Sequence, residues 1–316
     1  MMRPDLDRFI AGWRGPVLAA LVALLAGLPV LMLLPPLDRD ESRYAQATSQ
    51  MLESGDFVDI RFQDDPRWKK PVGIYWMQAA AVKATSSVEK RDIQPYRIPS
   101  ILGAMLAAAA LTRPIGKVSR WSGAALSVLS GLAIVAITVF GLTEYGRSTA
   151  QSWATITIVF AALAALIGAF LLLHRAAVAA VVAAIALGLV AHAGLAGTLR
   201  QLRPLAVAPQ LQKVLMRADL HPRQGRPGPV AITSFHEPSF VFLTGRATEL
   251  TDAEGAAQAL AEGRPVIVEA RDADAFRRAS AELGVTGRAV GVVNGHNYSR
   301  GDDVSLTVYA PSGTTP

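Results

Sequence analysis

Several apolar runs, each close to the length of a helix that crosses a bilayer, constrain this chain more than any other feature of its sequence. A membrane span needs roughly 20 consecutive apolar residues. Runs of this kind occupy 16–37, 97–111, 123–142, 153–173 and 176–197. Of all residues, 51% are hydrophobic and only 18% are charged, which is unlike an ordinary soluble globular protein. The sequence therefore predicts a mainly α-helical membrane protein with about five transmembrane helices.

A cleaved signal peptide is the alternative interpretation of the first apolar run. Such a peptide has a shorter apolar region, which is followed by a cleavage site made of small residues. The run ends instead in Leu33-Leu34-Pro35-Pro36-Leu37. This ending favours an uncleaved transmembrane helix.

Lysine and arginine residues near the ends of the runs predict the orientation of the chain. The N-terminal segment, 113–120 and the turn at 174–175 fall on one side of a five-span arrangement and hold the excess of basic residues. The positive-inside rule places that side in the cytoplasm. It therefore predicts that 38–96, and everything after about residue 200, lie on the outer face. The net charge of +6 is explained by these flanking residues and does not indicate nucleic-acid binding.

A change in composition divides the chain at about residue 200. Residues 1–200 are predicted to form a transmembrane domain that carries the first outer loop, 38–96. Within 201–316, a turn-rich segment at 224–229 is followed by alternating strand and helix patterns, which predict a small α/β domain on the outer face. The predicted strands are 230–235, 265–270, 288–293 and 304–309, and the predicted helices are 251–262 and 272–283.

The polar residues of this C-terminal domain give no clear binding motif. His236, Glu237 and His296 fall on predicted loops, and solvated side chains are favoured over a binding site as their interpretation. The sequence has no cysteine, which excludes disulfides and thiolate metal sites. No metal or other cofactor is required by any pattern in the sequence.

The first outer loop begins with a pattern typical of a helix start. Asp38 is suited to cap a helix, and Glu41 three residues later completes a capping-box pattern. Apolar residues follow at helical spacing as far as Gly55, which predicts a short amphipathic helix lying on the membrane surface. Residues 72–85 are apolar and aromatic but too few to span a bilayer, and they predict a second interfacial helix.

Charged residues in this loop suggest two interpretations. Carboxylates at a helix start complement the positive end of the helix dipole, which is a purely structural role. Alternatively, a carboxylate that faces several cations suits a reaction on a lipid phosphate, because the cations hold the phosphate while the carboxylate deprotonates an acceptor hydroxyl. The candidate site residues are the carboxylates Asp40 and Glu41, the residues Arg43 and Tyr44 on the same helix face as Asp40, and the cations Arg61, Arg67, Lys69 and Lys70 of the same loop.

Several stretches of the loop also resemble a known family. They are LDRDESRYAQ at 37–46, MLESGDFV at 51–58, KPVGIYW at 70–76 and RIPS at 97–100. These stretches are similar to the first-loop motifs of bacterial lipid A aminoarabinose transferases. Those proteins are membrane glycosyltransferases of the GT-C fold, related to the protein O-mannosyltransferases. EPS at 237–239 and NYSRG at 297–301 resemble the periplasmic domain of the same family more weakly.

The resemblance implies a donor and an acceptor for the reaction. The donor is a sugar on polyprenyl (undecaprenyl) phosphate, and the acceptor is a membrane lipid such as lipid A or another envelope molecule. Asp40 is implied to be the base, Arg43 and Tyr44 to line the donor cavity, and Lys70 to face the donor phosphate. The implied location is the bacterial inner membrane, with the N-terminus in the cytoplasm and the C-terminal domain in the periplasm.

The number of spans departs from the family pattern. Family members carry more spans than the five expected here, so the resemblance implies a member shortened by an internal deletion. A non-catalytic membrane protein is therefore the alternative hypothesis. Such a protein keeps the first outer loop and the C-terminal domain for binding a lipid or a partner.

Overall fold

The computed structural model of the chain describes residues 13–67, 70–111, 120–145, 150–174, 177–225 and 228–311. The chain divides into two compact units. The first unit is drawn from 1–34 and 97–202, and the second from 35–96 and 203–316. The first outer loop therefore belongs to the same unit as the C-terminal segment, whereas the predicted division grouped it with the transmembrane domain.

Helices account for most of the described chain. In chain order they are α1 (Arg14–Leu33), α2 (Asp40–Ser54), α3 (Gly73–Thr85), α4 (Gln94–Leu111), α5 (Arg120–Tyr145), α6 (Gln151–Leu173), α7 (Ala177–Gln201), α8 (Val207–Arg217), α9 (Pro238–Thr244), α10 (Ala253–Ala261) and α11 (Ala273–Glu282). The strands are β1 (Arg61–Phe62), β2 (Asp65–Pro66), β3 (Ala231–Thr233), β4 (Glu249–Thr251), β5 (Val266–Glu269), β6 (Gly287–Asn297) and β7 (Asp302–Pro311).

Among the described residues, three helical segments of the first unit are long and apolar enough to cross a membrane: Arg14–Leu33, Ser127–Tyr145 and Gln151–Leu171. They correspond to the first, third and fourth predicted spans. The second and fifth predicted spans are also helical, as α4 and α7, and their crossing of a membrane stays a prediction. Helix α1 ends four residues before the predicted boundary at Leu37, because Leu34 precedes a proline and adopts an extended conformation.

Small residues bring the backbones of α5, α6 and α7 close together. A Cβ atom added at Gly131 of α5 would lie 2.5 Å from the Cβ of Ala165 in α6. One added at Gly194 of α7 would lie 2.6 Å from Thr157 Oγ1 in α6. The alanine- and glycine-rich composition of this region therefore allows the close helix packing that is common between membrane helices.

A five-stranded mixed sheet forms the C-terminal part of the second unit. Its strand order is β4-β3-β5-β7-β6. Strand β3 pairs in parallel with β4 and β5, whereas β7 is antiparallel to both β5 and β6. The predicted strands and helices of the C-terminal domain are confirmed, although β6 and β7 are longer than predicted and leave only 298–301 as the loop between them.

Besides the short hairpin of β1 and β2, three elements of this unit were not predicted: helices α8 and α9 and strand β4. Every residue of α9 is buried, and its sequence is too short and too apolar to show a helical period. Leu211 and Leu215 of α8 are fully buried in the same core cluster as Phe240 and Phe242 of α9. Helices α8 and α9 therefore complete the hydrophobic core of the second unit.

Helix α2 lies inside this unit, so the prediction that it lies on the membrane surface is wrong. Five consecutive residues, 45–49, have no exposed area, which leaves no side of the helix free at this point. The polar side chains among them are satisfied within the unit: Thr48 Oγ1 donates to Gln78 of α3 at 2.8 Å, and Ser49 Oγ lies 2.7 Å from the Tyr96 hydroxyl. The predicted end of the helix at Gly55 is confirmed, because this glycine has φ 74° and its N–H bonds to Met51.

Candidate functional site

Asp40 is the first residue of α2, and its carboxylate faces a cation. Asp40 Oδ1 lies 3.8 Å from Arg67 Nη2. The side chain of Asp40 is 76% exposed, whereas that of Arg67 is only 12% exposed. One helical turn after Asp40, the ring of Tyr44 lies under the Arg67 guanidinium at 5.4 Å and against the ring of Tyr75 at 5.3 Å. We call these four residues the Asp40 cluster.

Arg67 is largely buried and lies over the ring of Tyr44. Its Nε atom is buried and has no hydrogen-bond acceptor among the residues that the structure describes. A guanidinium over an aromatic face is attracted by the electrons of the ring, and its planar shape matches a phosphate. Burial raises the pKa of the neighbouring Tyr75, although the charge of Arg67 opposes this effect. The cluster therefore presents a largely buried cation beside an accessible carboxylate.

The other predicted site residues lie in different surroundings. Glu41 accepts a hydrogen bond from the Leu37 backbone N–H at 2.8 Å, which closes the start of α2. Arg43 and Lys70 are exposed, and Lys69 lies outside the described residues. In the described part of the chain, the ion-pair partner of Asp40 is Arg67 rather than Arg43 or Lys70.

Asp38 does not cap α2, so this prediction is wrong. The residue at the cap position is Arg39, which makes no capping bond with its side chain. Asp38 instead accepts a hydrogen bond from the Ser239 hydroxyl, and its backbone N–H donates to the Tyr298 hydroxyl at 2.5 Å. The Arg39 guanidinium donates to the backbone carbonyl of Ser299. The start of α2 is thus bonded to two segments that are more than 200 positions away in the chain.

Glu237 takes part in the same arrangement, so its interpretation as a solvated loop residue is wrong. It is 5% exposed, and its Oε1 accepts a hydrogen bond from Asn297 Nδ2 at 2.9 Å. The segments 237–239 and 297–301, which resemble a periplasmic domain only weakly, therefore meet the first outer loop. That resemblance was the one sequence signal for the partners of Asp38.

Burial raises the pKa of Asp38 to about 6. This pKa already includes the opposing effect of the hydrogen bond from Ser239 and a smaller upward effect of the nearby Glu237 carboxylate. Because the raised pKa favours the protonated form in the folded protein, ionisation of Asp38 at neutral pH costs stability.

Replacing Asp38 by Asn should therefore stabilise the protein at neutral pH, by about 1–3 kcal/mol. Asn keeps an oxygen that accepts from Ser239 but carries no charge. The stability that protonated Asp38 supplies is present below its ordinary pKa of 3.8 and is lost as the pH rises through about 6. The advantage of Asp38→Asn should thus be small at pH 4.5 and level off above pH 7, as measured by urea denaturation in mild detergent. A difference that stays constant with pH would contradict this assignment.

The sheet of the second unit also carries an open groove of about 800 Å³. Its lining includes Glu269 and Arg271, and these two side chains already pair with each other at 2.7 Å. None of the predicted site residues lines this groove. Among the described residues, no group of three or more histidine, aspartate or glutamate side chains is arranged to hold a metal ion.

Comparison of the chain with protein-family models, with curated proteins and with solved structures gives no match.

Proposed function

We propose that the protein is a multi-pass membrane glycosyltransferase that moves a sugar from a polyprenyl phosphate donor to an envelope lipid. The observation that carries this proposal is the pairing of an exposed carboxylate, Asp40, with a largely buried guanidinium, Arg67, at the start of α2. In the chain, α2 follows shortly after the first segment apolar enough to span a bilayer. In the sequence, the site therefore follows closely after a proposed membrane-spanning segment. The head group of a polyprenyl phosphate would lie at the end of such a segment.

Three residues of the cluster, Asp40, Arg67 and Tyr44, have a role in the proposed transfer. Asp40 removes a proton from the acceptor hydroxyl as a general base. The acceptor oxygen then bonds to the anomeric carbon of the sugar, and the bond between that carbon and the phosphate oxygen breaks. Polyprenyl phosphate leaves, and the negative charge that develops on it is stabilised by Arg67, with Lys70 as a second cation in the same loop. Tyr44 keeps Arg67 in place through contact with its ring.

The membrane location and topology belong to the same proposal. Helices α1, α5 and α6 carry large apolar side chains that are exposed, such as Leu25, Leu129 and Leu166. Side chains of this kind favour surroundings of lipid over water. We place the N-terminus in the cytoplasm and the second unit in the periplasm of a bacterial inner membrane, following the distribution of basic residues.

The test is transfer from a panel of radiolabelled polyprenyl phosphate sugars in proteoliposomes that contain lipid A. Replacing Asp40 by Asn should lower kcat at least 100-fold, because general base catalysis contributes about 10²–10⁴-fold. Binding of the labelled donor should stay within about threefold, since Asn leaves Arg67 and Lys70 in place. Asp65→Asn is the matched control, because Asp65 is an exposed carboxylate on β2 of the same loop, and it should transfer as the wild type does.

A non-catalytic lipid-binding protein is the second candidate. The observation that favours it is that, in the described part of the chain, Asp40 pairs with Arg67 and not with Arg43 or Lys70, the cations that the resemblance places with it in the donor site. A wild-type protein that binds the labelled donor but transfers no sugar would support this candidate and refute the glycosyltransferase.

A further inference from the structure

The start of α2 is a strained and weakly capped piece of backbone. Arg39, just before the helix, has φ 64° and ψ −121°, a region that residues other than glycine rarely adopt. The side chain of Arg39, at the cap position, makes no capping hydrogen bond. Such a conformation persists only when the surrounding structure enforces it. Because Asp40 is the next residue, its direction depends on whatever holds Arg39.

Three hydrogen bonds from remote segments hold this stretch. The Tyr298 hydroxyl accepts from the Asp38 N–H at 2.5 Å, and the Ser239 hydroxyl donates to the Asp38 carboxylate. The Arg39 guanidinium donates to the Ser299 carbonyl. We call these contacts the Tyr298 clamp. Together they fix both the backbone and the side chains of the two residues that precede Asp40.

The partners in the clamp are themselves rigid. Tyr298 and Ser299 follow directly after Asn297, the last residue of β6, which pairs with Asp302 of β7. Asn297 accepts from the Ser299 N–H at 3.0 Å and donates to buried Glu237 at 2.9 Å. Ser239 lies in α9, where every residue is buried. The clamp thus connects the start of α2 to the core of the second unit.

We propose that Tyr298 and Ser239 are positioning residues, which hold the start of α2 so that the Asp40 carboxylate stays against Arg67. The effect on transfer rests on the proposed function, whereas the effect on the backbone does not. A small displacement of a catalytic group slows the reaction, because a shift of about 1 Å lowers the rate by up to about 10²-fold. The C-terminal hairpin would then contribute to catalysis without touching the substrate.

The test compares Tyr298→Phe and Ser239→Ala with the wild-type full chain in lipid nanodiscs. Hydrogen exchange is measured at the Asp38 amide, which bonds to Tyr298, and at the Arg43 amide, which bonds to the Arg39 carbonyl at 3.1 Å. Both amides should exchange at least tenfold faster in each variant. Transfer from labelled polyprenyl phosphate sugar should show a kcat about tenfold lower with KM within twofold, because the variants displace Asp40 without removing a substrate contact.

Tyr309→Phe is the matched control, because Tyr309 lies on β7 of the same hairpin and packs on Phe276 with ring centroids 5.3 Å apart. It should leave exchange and transfer at wild-type values. Unchanged exchange in Tyr298→Phe and Ser239→Ala overturns the clamp, and so does a higher KM with an unchanged kcat. If the wild type transfers no sugar, the proposed function fails, and the exchange rates alone then decide whether the clamp holds α2.

Discussion

Replacing Arg91 by Met should lower the free energy of unfolding of the second unit by about 3–5 kcal/mol. The Arg91 guanidinium is only 8% exposed and pairs with Glu53, whose side chain is 25% exposed. It also donates to the side-chain oxygen of Gln46 at 2.9 Å, and Gln46 is fully buried. Met fills a similar volume but leaves a partly buried carboxylate and a buried amide oxygen without their donor. Urea-dependent pulse proteolysis of the full chain in mild detergent measures the change.

Arg61→Met is the matched control for this prediction. Arg61 pairs with Asp59 at 2.7 Å, but the two side chains are 47% and 34% exposed. Because water screens an exposed pair, its loss should cost no more than about 1 kcal/mol. Equal costs for the two variants would show that burial of the Arg91 pair does not determine its contribution.

Replacing Gly194 by Ala should destabilise the packing of α6 against α7 by about 1–3 kcal/mol. The new Cβ would lie 2.6 Å from Thr157 Oγ1 and 3.0 Å from the backbone nitrogen of Thr157. A hydroxyl can rotate away, but backbone nitrogen can move only if the whole helix shifts. The variant should therefore melt at a lower temperature in detergent, as measured by loss of the helical circular dichroism signal.

Gly188→Ala provides the comparison, because Gly188 lies in the same helix and a Cβ added there meets no atom within 4 Å. Alanine favours helix more than glycine by about 1 kcal/mol, so this variant should melt at or slightly above the wild-type temperature. If both variants behaved alike, close approach at Gly194 would not be what holds these helices together.

Local sequence patterns were sufficient to predict the elements whose conformation depends mainly on residues nearby in the chain. The end of α2 could be predicted, because Gly55 is the residue that most readily adopts the left-handed conformation of a helix end. Strands β3 and β5 could be predicted from short apolar runs between turn signals. The apolar character of α1, α5 and α6 follows directly from composition.

The roles of Asp38 and Glu237 could not be predicted in the same way. Asp38 follows the rules for a capping residue, but its bond to Ser239 joins positions 201 apart in the chain. A polar residue on a loop is normally solvated, and only the pairing of β6 with β7 brings Asn297 to Glu237 and buries both. Similarly, Arg67 was one of several cations in the loop, and its burial over Tyr44 depends on how α2 and α3 pack.

The second unit is built from two segments of the chain, 35–96 and 203–316, which the ribosome synthesises at different times. Asp38 and Tyr298 are 260 positions apart, and the whole of 97–202 is made between the two segments. At a synthesis rate of about 5–20 residues per second, roughly 10–40 s pass before Ser239 exists and roughly 13–52 s before Tyr298 does. Until α9 is synthesised, the residues of α2 that pack against it are left uncovered. The early segment is therefore a target for holdase chaperones and proteases until the last hairpin is synthesised.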